Sequence, residues 1–454
     1  MQKRDIQMTA GPLLPNIIRY TVPIILTGLL QLLFNAADLV VVGQFCGSHS
    51  VGAVGATSSL INLIVNLFIG LSVGAGVVVA QAIGSGHREG ISRTVHTAMP
   101  VAVISGLLLT VIGLLLAPQI LQWMATPTEY IHLSTLYVKV YFCGMIPQMV
   151  YNFGAAILRA AGDTQGPLRY LTLAGVVNVA LNVLFVTLFD MNVAGVALAT
   201  SLSQLLAAVL VVRALMRRTD DCRLEWRRLR IHRTPLLQML RIGVPAGIQG
   251  SLFSVSNVLI QSTMNSFGAV VTSGFAAGGS IEGFVYVVMN AFYQTAMNFT
   301  GQNVGAGNYA RVRKVMRTSL VSVAVTGLVF GALVWLLAEP LLSLYITDSA
   351  EAIRYGVLRL TVTCLPYFLC GLMEVASGMV RGMGASVLPM LVTVLSVCAF
   401  RVAWVYLVFP YIGGTPTALF ISYPISWGLN AAAQTVIYAV LIRRRLHSQK
   451  AREQ

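Results

Sequence analysis

The side chains with the clearest potential for chemistry lie in an apolar stretch near the start of the chain, PIILTGLLQLLFNAADLVVVG at residues 23–43. At about 1.5 Å per residue, residues 24–42 can cross a hydrocarbon core of about 30 Å. Gln31, Asn35 and Asp38 are spaced i, i+4 and i+7, so they share one helix face. A carboxylate at that depth costs about 3 kcal/mol or more. Asp38 is therefore predicted to bind a coupling cation or face a wet cavity; the alternative is an aspartate that reaches interfacial water.

Further oxygen-bearing side chains lie in two later apolar stretches. Asn178 and Asn182 are one helical turn apart, so their amides can point to one place. The next stretch contributes the hydroxyl groups of Thr200, Ser201 and Ser203. Hard monovalent cations bind several oxygen ligands. If Asp38 faces these amides, the group forms a Na⁺ or H⁺ site; otherwise the asparagines join helices by hydrogen bonds.

The composition is that of an integral membrane protein. The chain is 56% hydrophobic and only 10% charged over 454 residues, too little charge to cover a soluble surface. Its net charge of +15 comes from basic residues in short loops, which favours positive-inside topology over nucleic-acid binding. No HExxH, P-loop or CxxC pattern occurs, and we expect no enzyme site, cofactor or structural metal. Free buried thiols are expected for every cysteine except Cys222.

Twelve spanning segments are predicted, and the first is too long for a signal-peptide core, so it is expected to be retained. The segments are, in order, roughly 16–43, 54–83, 94–116, 131–158, 168–189, 193–215, 236–266, 272–303, 315–337, 353–380, 387–409 and 415–442. Because both termini fall on the basic side, we expect a multi-pass protein of the cell (inner) membrane with cytoplasmic ends.

The two halves of the chain repeat one another. Three pairs of motifs recur with offsets of 222, 221 and 222 residues: RYTVP with RIGVP, AQAIGSG with GQNVGAG, and RAAGDTQGP with RGMGASVLP. A near-constant offset indicates duplication, and an even number of helices per repeat gives both halves the same orientation. The predicted fold is all-α and integral to the membrane, with twelve transmembrane helices in two six-helix repeats around a central cavity. Its parts are an N-lobe at 1–215, a basic cytoplasmic linker at 216–235, a C-lobe at 236–442 and a basic tail at 443–454.

The second half does not copy the first half's polar cluster. The repeat alignment puts Ile260, Phe400 and Trp404 at the positions of Asp38, Asn178 and Asn182. Instead, charged residues lie within other spans. We predict that Arg401 pairs with Glu282, with Glu374 as the other candidate, because a lone intramembrane arginine is costly. The pair could instead be a fixed structural contact. Candidate cavity residues are Gln31, Asn35, Gln249, Asn257, Gln261, Glu282, Tyr286, Met289, Tyr293, Gln294 and Arg401.

The chain resembles the multidrug and toxic compound extrusion (MATE) transporters over nearly its whole length. The resemblance rests on the two repeats and on four sequence features: Pro23, Asp38 and Val42-Gly43 in segment 1, VAQAIGSG at 79–86, TGQNVGAG at 300–307, and LRAAGDTQGP at 158–167. It implies secondary active antiport, in which Na⁺ or H⁺ entry drives export of amphiphilic, often cationic compounds by alternating access.

The resemblance also implies roles for particular residues. Asp38, Asn178 and Thr200 match the family's N-lobe cation site, and Pro23 matches a proline at which segment 1 is proposed to bend. Many members have a second aspartate where Asn182 stands, so this chain fits Na⁺ coordination by one carboxylate and neutral oxygens better than proton-only coupling. Segment 7 has no acidic C-lobe site, which favours the branch resembling DNA-damage-inducible MATE proteins.

Two other functions are compatible with the sequence. A flippase for a lipid-linked oligosaccharide or another lipid would favour a strongly basic cavity, whereas Arg401 is the clearest mid-membrane arginine. A membrane-embedded enzyme would need clustered acidic, histidine or cysteine residues at one membrane face. The expected partners are a small amphiphilic substrate and the lipid bilayer, with no nucleic acid, and a two-lobe transporter can work as a monomer.

Overall fold

A computed structural model describes residues 5–123, 129, 131–347 and 349–453. The helices of the first half are α1 (Leu13–Phe45), α2 (Ser48–Ser85), α3 (Arg88–Trp123), α4 (Ile131–Cys143), α5 (Met145–Ala160), α6 (Gln165–Val183) and α7 (Asn192–Met216). Those of the second half are α8 (Arg233–Asn265), α9 (Ala269–Gly305), α10 (Tyr309–Leu336), α11 (Ala338–Ser343), α12 (Ala350–Cys364), α13 (Tyr367–Gly382), α14 (Val387–Thr393), α15 (Phe400–Ala403), α16 (Pro416–Phe420) and α17 (Ser422–Glu453). Residues 1–4 of the predicted N-lobe and residue 454 of the predicted tail lie outside the described residues.

The predicted all-α membrane fold is confirmed. Within the described ranges, ten helical stretches are long and apolar enough to cross a membrane, and the pair α12–α13, bent by 46°, makes an eleventh. The remaining predicted segment, the fourth, consists of α4 and α5, which meet at Gly144. No strand occurs in the part of the chain that the structure describes.

The chain forms two compact units. Unit 1 comprises Met1–Met8 and Val22–Ser251, and unit 2 comprises Thr9–Thr21 and Leu252–Gln454. The first turns of α1 therefore belong to unit 2, where the Thr21 and Thr295 hydroxyl groups are hydrogen-bonded at 2.8 Å. α1 continues through Pro23 into unit 1 as one helix. The first turns of α8 belong to unit 1, so α1 and α8 each contribute to both units.

Glycines allow α2 and α8 to pack with their backbones in contact inside unit 1. Gly70 and Gly74 form a G-x-x-x-G pair on α2, and Gly243 and Gly247 form another on α8. A Cβ atom on Gly70 would lie 2.2 Å from the backbone nitrogen of Gly247, and one on Gly74 would lie 2.4 Å from the carbonyl oxygen of Met239. Small residues at this spacing let membrane helices approach closely and gain van der Waals contact.

Gly70→Ala should therefore destabilise unit 1, because its new methyl group has only backbone atoms to displace. Overpacking of this kind costs about 1–3 kcal/mol. The free energy of unfolding in a detergent titration measures the effect. Gly55→Ala is the matched control, since it lies on the same helix and a Cβ atom added there would meet nothing within 4 Å. Equal stability of the two variants would contradict the close packing.

The segment after α7 folds back onto unit 1. The Arg218 side chain is 1% exposed, and its Nη2 atom lies 2.7 Å from an Asp5 carboxylate oxygen and 2.5 Å from one of Asp220. The Ile6 amide donates to the carbonyl of Gly162 at 3.1 Å, and a side chain at Gly162 would strike the Ile6 backbone. This glycine of the LRAAGDTQGP motif therefore makes room for the N-terminal segment. The start of the linker is an ordered part of the unit.

The cysteine expectation was wrong at three positions. Cys46, directly after α1, is only half-buried. Cys222, which the sequence places in the linker, is buried beside Asp220 because the linker folds inward. Cys143, at the end of α4, is exposed, since an apolar segment of a membrane protein also has a face that points away from its own unit.

The linker contact should depend on pH. Burial by itself would raise the pKa of Asp220, but the hydrogen bond and charge of Arg218 outweigh it and hold this pKa below its ordinary value of 3.8. A carboxyl group with a lowered folded-state pKa stabilises the contact at higher pH, and this contribution is lost as the pH falls below about 4. Proteolysis of the N-terminal segment should accelerate in that range, and Asp220→Asn should accelerate it already at neutral pH. Unchanged cleavage in Asp220→Asn would contradict the role of Asp220.

Candidate functional site

Four polar side chains from three helices meet inside unit 1. Asp38 comes from α1, Asn178 and Asn182 come from α6, and Thr200 comes from α7. The amide nitrogen of Asn182 donates to Oδ1 of Asp38, and the Thr200 hydroxyl lies 3.4 Å from Oδ2. Asn178 accepts from Asn182 at 3.3 Å and donates to Thr200 at 3.4 Å. The structure thus brings together the four residues singled out as a cation site.

Apolar packing next to each polar residue positions the cluster. Val41 and Val42, one turn beyond Asp38, belong to the same buried hydrophobic cluster as Val196 and Ala197, one turn before Thr200. Asp38 and Thr200 therefore lie next to buried apolar side chains of α1 and α7. Because buried side chains in such a cluster occupy fixed rotamers, the carboxylate of Asp38 is held within reach of its partners.

The donor set suits a cation. Asn178 and Asn182 are buried, and the Oδ1 atom of Asn182 has no hydrogen-bond partner among the described atoms. A buried carbonyl oxygen without a partner is costly and calls for an explanation, such as an ion or a water molecule. Together with the Asp38 carboxylate and the Thr200 hydroxyl, it offers a hard cation one negative charge and neutral oxygens.

Two features near the cluster were missed in the sequence. Tyr137 and Tyr141 on α4 stack with their ring centroids 6.0 Å apart. The i, i+4 spacing of the two tyrosines, which places them on one helix face, could have revealed this pair in the sequence. A π-helical turn, Leu184–Leu188, begins two residues after Asn182. Such turns occur often at functional sites, because an extra residue in the turn redirects the side chains that follow.

Other candidate residues lie apart from this cluster. Asn35 and Gln31 are exposed, one and two turns before Asp38 respectively. Ser201 and Ser203 donate to backbone carbonyls of their own helix. Of the remaining candidates, Gln249 and Gln261 are half-buried and Asn257 is exposed, while Gln294 donates to Asn290. Met289 and Tyr293 are buried inside unit 2, where Tyr293 accepts a hydrogen bond from Arg381, and Tyr286 lies 3.5 Å from Glu374.

The predicted Arg401–Glu282 ion pair is wrong. Glu282 pairs with Arg359, whose Nη2 lies 2.6 Å from Glu282 Oε2, and it also accepts from Thr363. Arg359 lies on α12, more than two turns after its start at Ala350, and was missed in the sequence as a partner of Glu282. Arg359 and Thr363 are spaced i, i+4, so both reach Glu282 from one helix face. The other predicted partner, Glu374, is hydrogen-bonded to Tyr286 instead.

The Arg359–Glu282 pair should be sensitive to removal of one partner. Arg359→Met leaves an uncompensated buried carboxylate, which typically costs about 3–5 kcal/mol, whereas the double variant Arg359→Met with Glu282→Gln should recover part of that loss. A double-mutant cycle in detergent unfolding measures the coupling. Arg354→Gln, which removes an exposed guanidinium from the same helix, is the control. A double variant as unstable as the sum of its singles would exclude the coupling.

Comparison with known proteins agrees with this architecture. A sequence model of the MatE family matches residues 23–184 and 245–407, one match in each half, with starts separated by the repeat offset. Two Bacillus subtilis proteins named "Probable multidrug resistance protein", YpnP and YoeA, are 27% and 25% identical to this chain. The alignments cover 89% and 90% of this chain and 90% of each relative.

Solved structures share the fold. A MOP superfamily transporter from Pyrococcus furiosus superposes with a TM-score of 0.91 at 21% identity, over 98% of this chain and 99% of its own. A mutant of the Vibrio cholerae MATE transporter VcmN gives a TM-score of 0.87 at 21% identity, over 95% and 97%. Since the family's sequence model matches most of both halves, the chain belongs to the MatE family, the MATE membrane transporters.

Proposed function

We propose that this transporter is a cation-coupled antiporter that exports amphiphilic, cationic drugs or metabolites by alternating access. The observation that carries the proposal is the convergence of Asp38, Asn178, Asn182 and Thr200 inside an apolar unit. A carboxylate held there needs a positive charge or a proton, so loading and unloading of the site changes the charge balance of the unit. Relatives named for multidrug resistance or export support the substrate class.

The ligand set favours Na⁺ over H⁺ as the coupling ion. The described cluster contains one carboxylate, with amide and hydroxyl oxygens as its other ligands. A proton needs only the carboxylate, whereas Na⁺ makes use of the neutral oxygens as well, including the unpartnered Oδ1 of Asn182. In this proposal Asp38 supplies the charge, and Asn178, Asn182 and Thr200 replace water around the ion.

The charge pattern supports an orientation in the membrane. Basic residues crowd the linker and the end of α17, whereas the loops on the opposite side carry Glu129 and Asp190. Under the positive-inside rule, the termini and the linker lie in the cytoplasm of a cell with the protein in its inner membrane. Each chain contains two units and its own cation cluster, so the monomer suffices for transport.

Asp38→Asn should abolish coupled transport while leaving the fold intact, because the amide keeps the shape and hydrogen bonding but removes the charge. Uptake of a fluorescent organic cation into proteoliposomes, driven by a Na⁺ gradient and separately by a pH gradient, measures the effect. Transport by the unaltered protein should follow the Na⁺ gradient. Asn35→Asp is the charge control, because it adds a carboxylate one turn away and cannot restore coupling in the Asp38→Asn background.

Gradient-driven transport of normal rate by Asp38→Asn would overturn the coupling role of Asp38. Transport driven only by the pH gradient would overturn the assignment of Na⁺. The absence of transport by the unaltered protein under either gradient would overturn antiport of organic cations.

A further inference from the structure

Arg401 is a fully buried arginine whose positive charge has no counter-ion among the described residues. Its Nε atom donates to the hydroxyl of Ser426 at 3.2 Å. Its Nη1 and Nη2 atoms are buried and have no hydrogen-bond partner among the atoms that the structure describes. Because an unpaired charge in an apolar interior is among the most costly features a protein can have, the vacant donors require an explanation.

The surroundings of Arg401 stabilise the cation without using its outer donors. The guanidinium carbon lies 4.1 Å from the ring centroid of Tyr423 and 5.6 Å from that of Phe253. Aromatic faces attract a cation, but they contact the flat side of a guanidinium and leave the in-plane N–H groups free. Glu282, whose charge acts on Arg401 only from a distance, is already paired with Arg359 and Thr363. The protein therefore holds the arginine in place without neutralising it.

This position corresponds to the cation cluster of the other repeat. With the offset of 222 residues, Arg401 lies between the equivalents of Asn178 and Asn182. Phe253 comes from α8, the equivalent of α1, and Tyr423 and Ser426 come from α17, the equivalent of α7. Each unit thus builds a polar site from the same three segments of its repeat. The fixed charge is negative in unit 1 and positive in unit 2.

The backbone around Arg401 is irregular. The short helix α15 that carries Arg401 lies between two π-helical stretches, Val394–Ala399 and Trp404–Val408. A π-helical turn also follows the cation cluster at Leu184–Leu188. Because π-helical turns weaken local packing, they persist mostly where side-chain placement is used. The π-helical backbone is an observation independent of the unpartnered Nη1 and Nη2 atoms, and it also singles out Arg401.

We infer that Arg401, with Ser426 and Tyr423, forms an anion-binding site in unit 2 that takes a single monovalent anionic group. One guanidinium supplies one positive charge, so a dianion would bring a second charge into the apolar interior uncompensated. Two vacant N–H directions match a carboxylate, which a guanidinium binds in a bidentate manner, and they also suit a halide ion. The source is either an inorganic anion or the carboxylate of a transported compound.

Equilibrium binding to the purified full-length protein tests this site, with radiolabelled chloride in one arm and radiolabelled acetate in the other, both in sulfate buffer. We expect saturable binding of one anion per chain. Arg401→Met should weaken binding by about tenfold or more, since hydrogen bonds to charged groups are lost. Arg354→Gln, which removes an exposed guanidinium from unit 2, should leave it unchanged. Binding of chloride identifies an inorganic ion as a ligand, and binding of acetate alone identifies a carboxylate.

No saturable binding of either anion, or equal binding by Arg401→Met, would overturn the site and leave water as the partner of the guanidinium. Arg401→Lys provides a second test should Arg401→Met fail to fold. Lysine keeps the charge but not the planar pair of donors, so acetate affinity should fall more than chloride affinity. Unchanged affinity for both anions would contradict the inference. Because the assay uses no gradient and no organic cation, its result is separate from that of the antiport experiment.

Discussion

A charged side chain in an apolar interior must find a partner, and this constraint organises both units of the protein. In unit 1 the carboxylate of Asp38 lies among amide and hydroxyl groups that reduce its cost without cancelling its charge. In unit 2 Glu282 is cancelled by Arg359 in a short ion pair. The two arrangements differ in what they allow. The Asp38 carboxylate has no fixed counter-ion and can bind or release a cation, whereas the Arg359–Glu282 ion pair holds two helices together.

Close helix packing surrounds these charges. The glycine pairs of α2 and α8 bring two backbones together, and the apolar cluster beside Asp38 closes one side of its site. Without hydrophobic driving force between helices in lipid, such contacts supply much of the stability of a membrane protein. The charged sites therefore depend on uncharged neighbouring segments for the helix packing that keeps them in position. The two π-helical stretches beside Arg401 interrupt the regular α-helical geometry on which such packing depends.

The two halves of the duplicated chain have diverged in charge while keeping the order of their helices. α1, α6 and α7 supply the cluster around Asp38, and their repeat equivalents supply the surroundings of Arg401. Asp38 places a negative charge in unit 1, and Arg401 places a positive charge at the related part of unit 2.

The sequence by itself determined the membrane class, the helical segments and the repeat, and it singled out Asp38 and its asparagines as a candidate site, because hydropathy, periodicity and the cost of a buried carboxylate are local or additive properties. It could not assign the partner of Glu282. The packing of α12 against α9 decided that Arg359 and not Arg401 reaches that carboxylate. The inward fold of the linker at Arg218 also needed the structure. Pairing of side chains distant in sequence depends on how whole helices pack, and that information exists only in the tertiary structure.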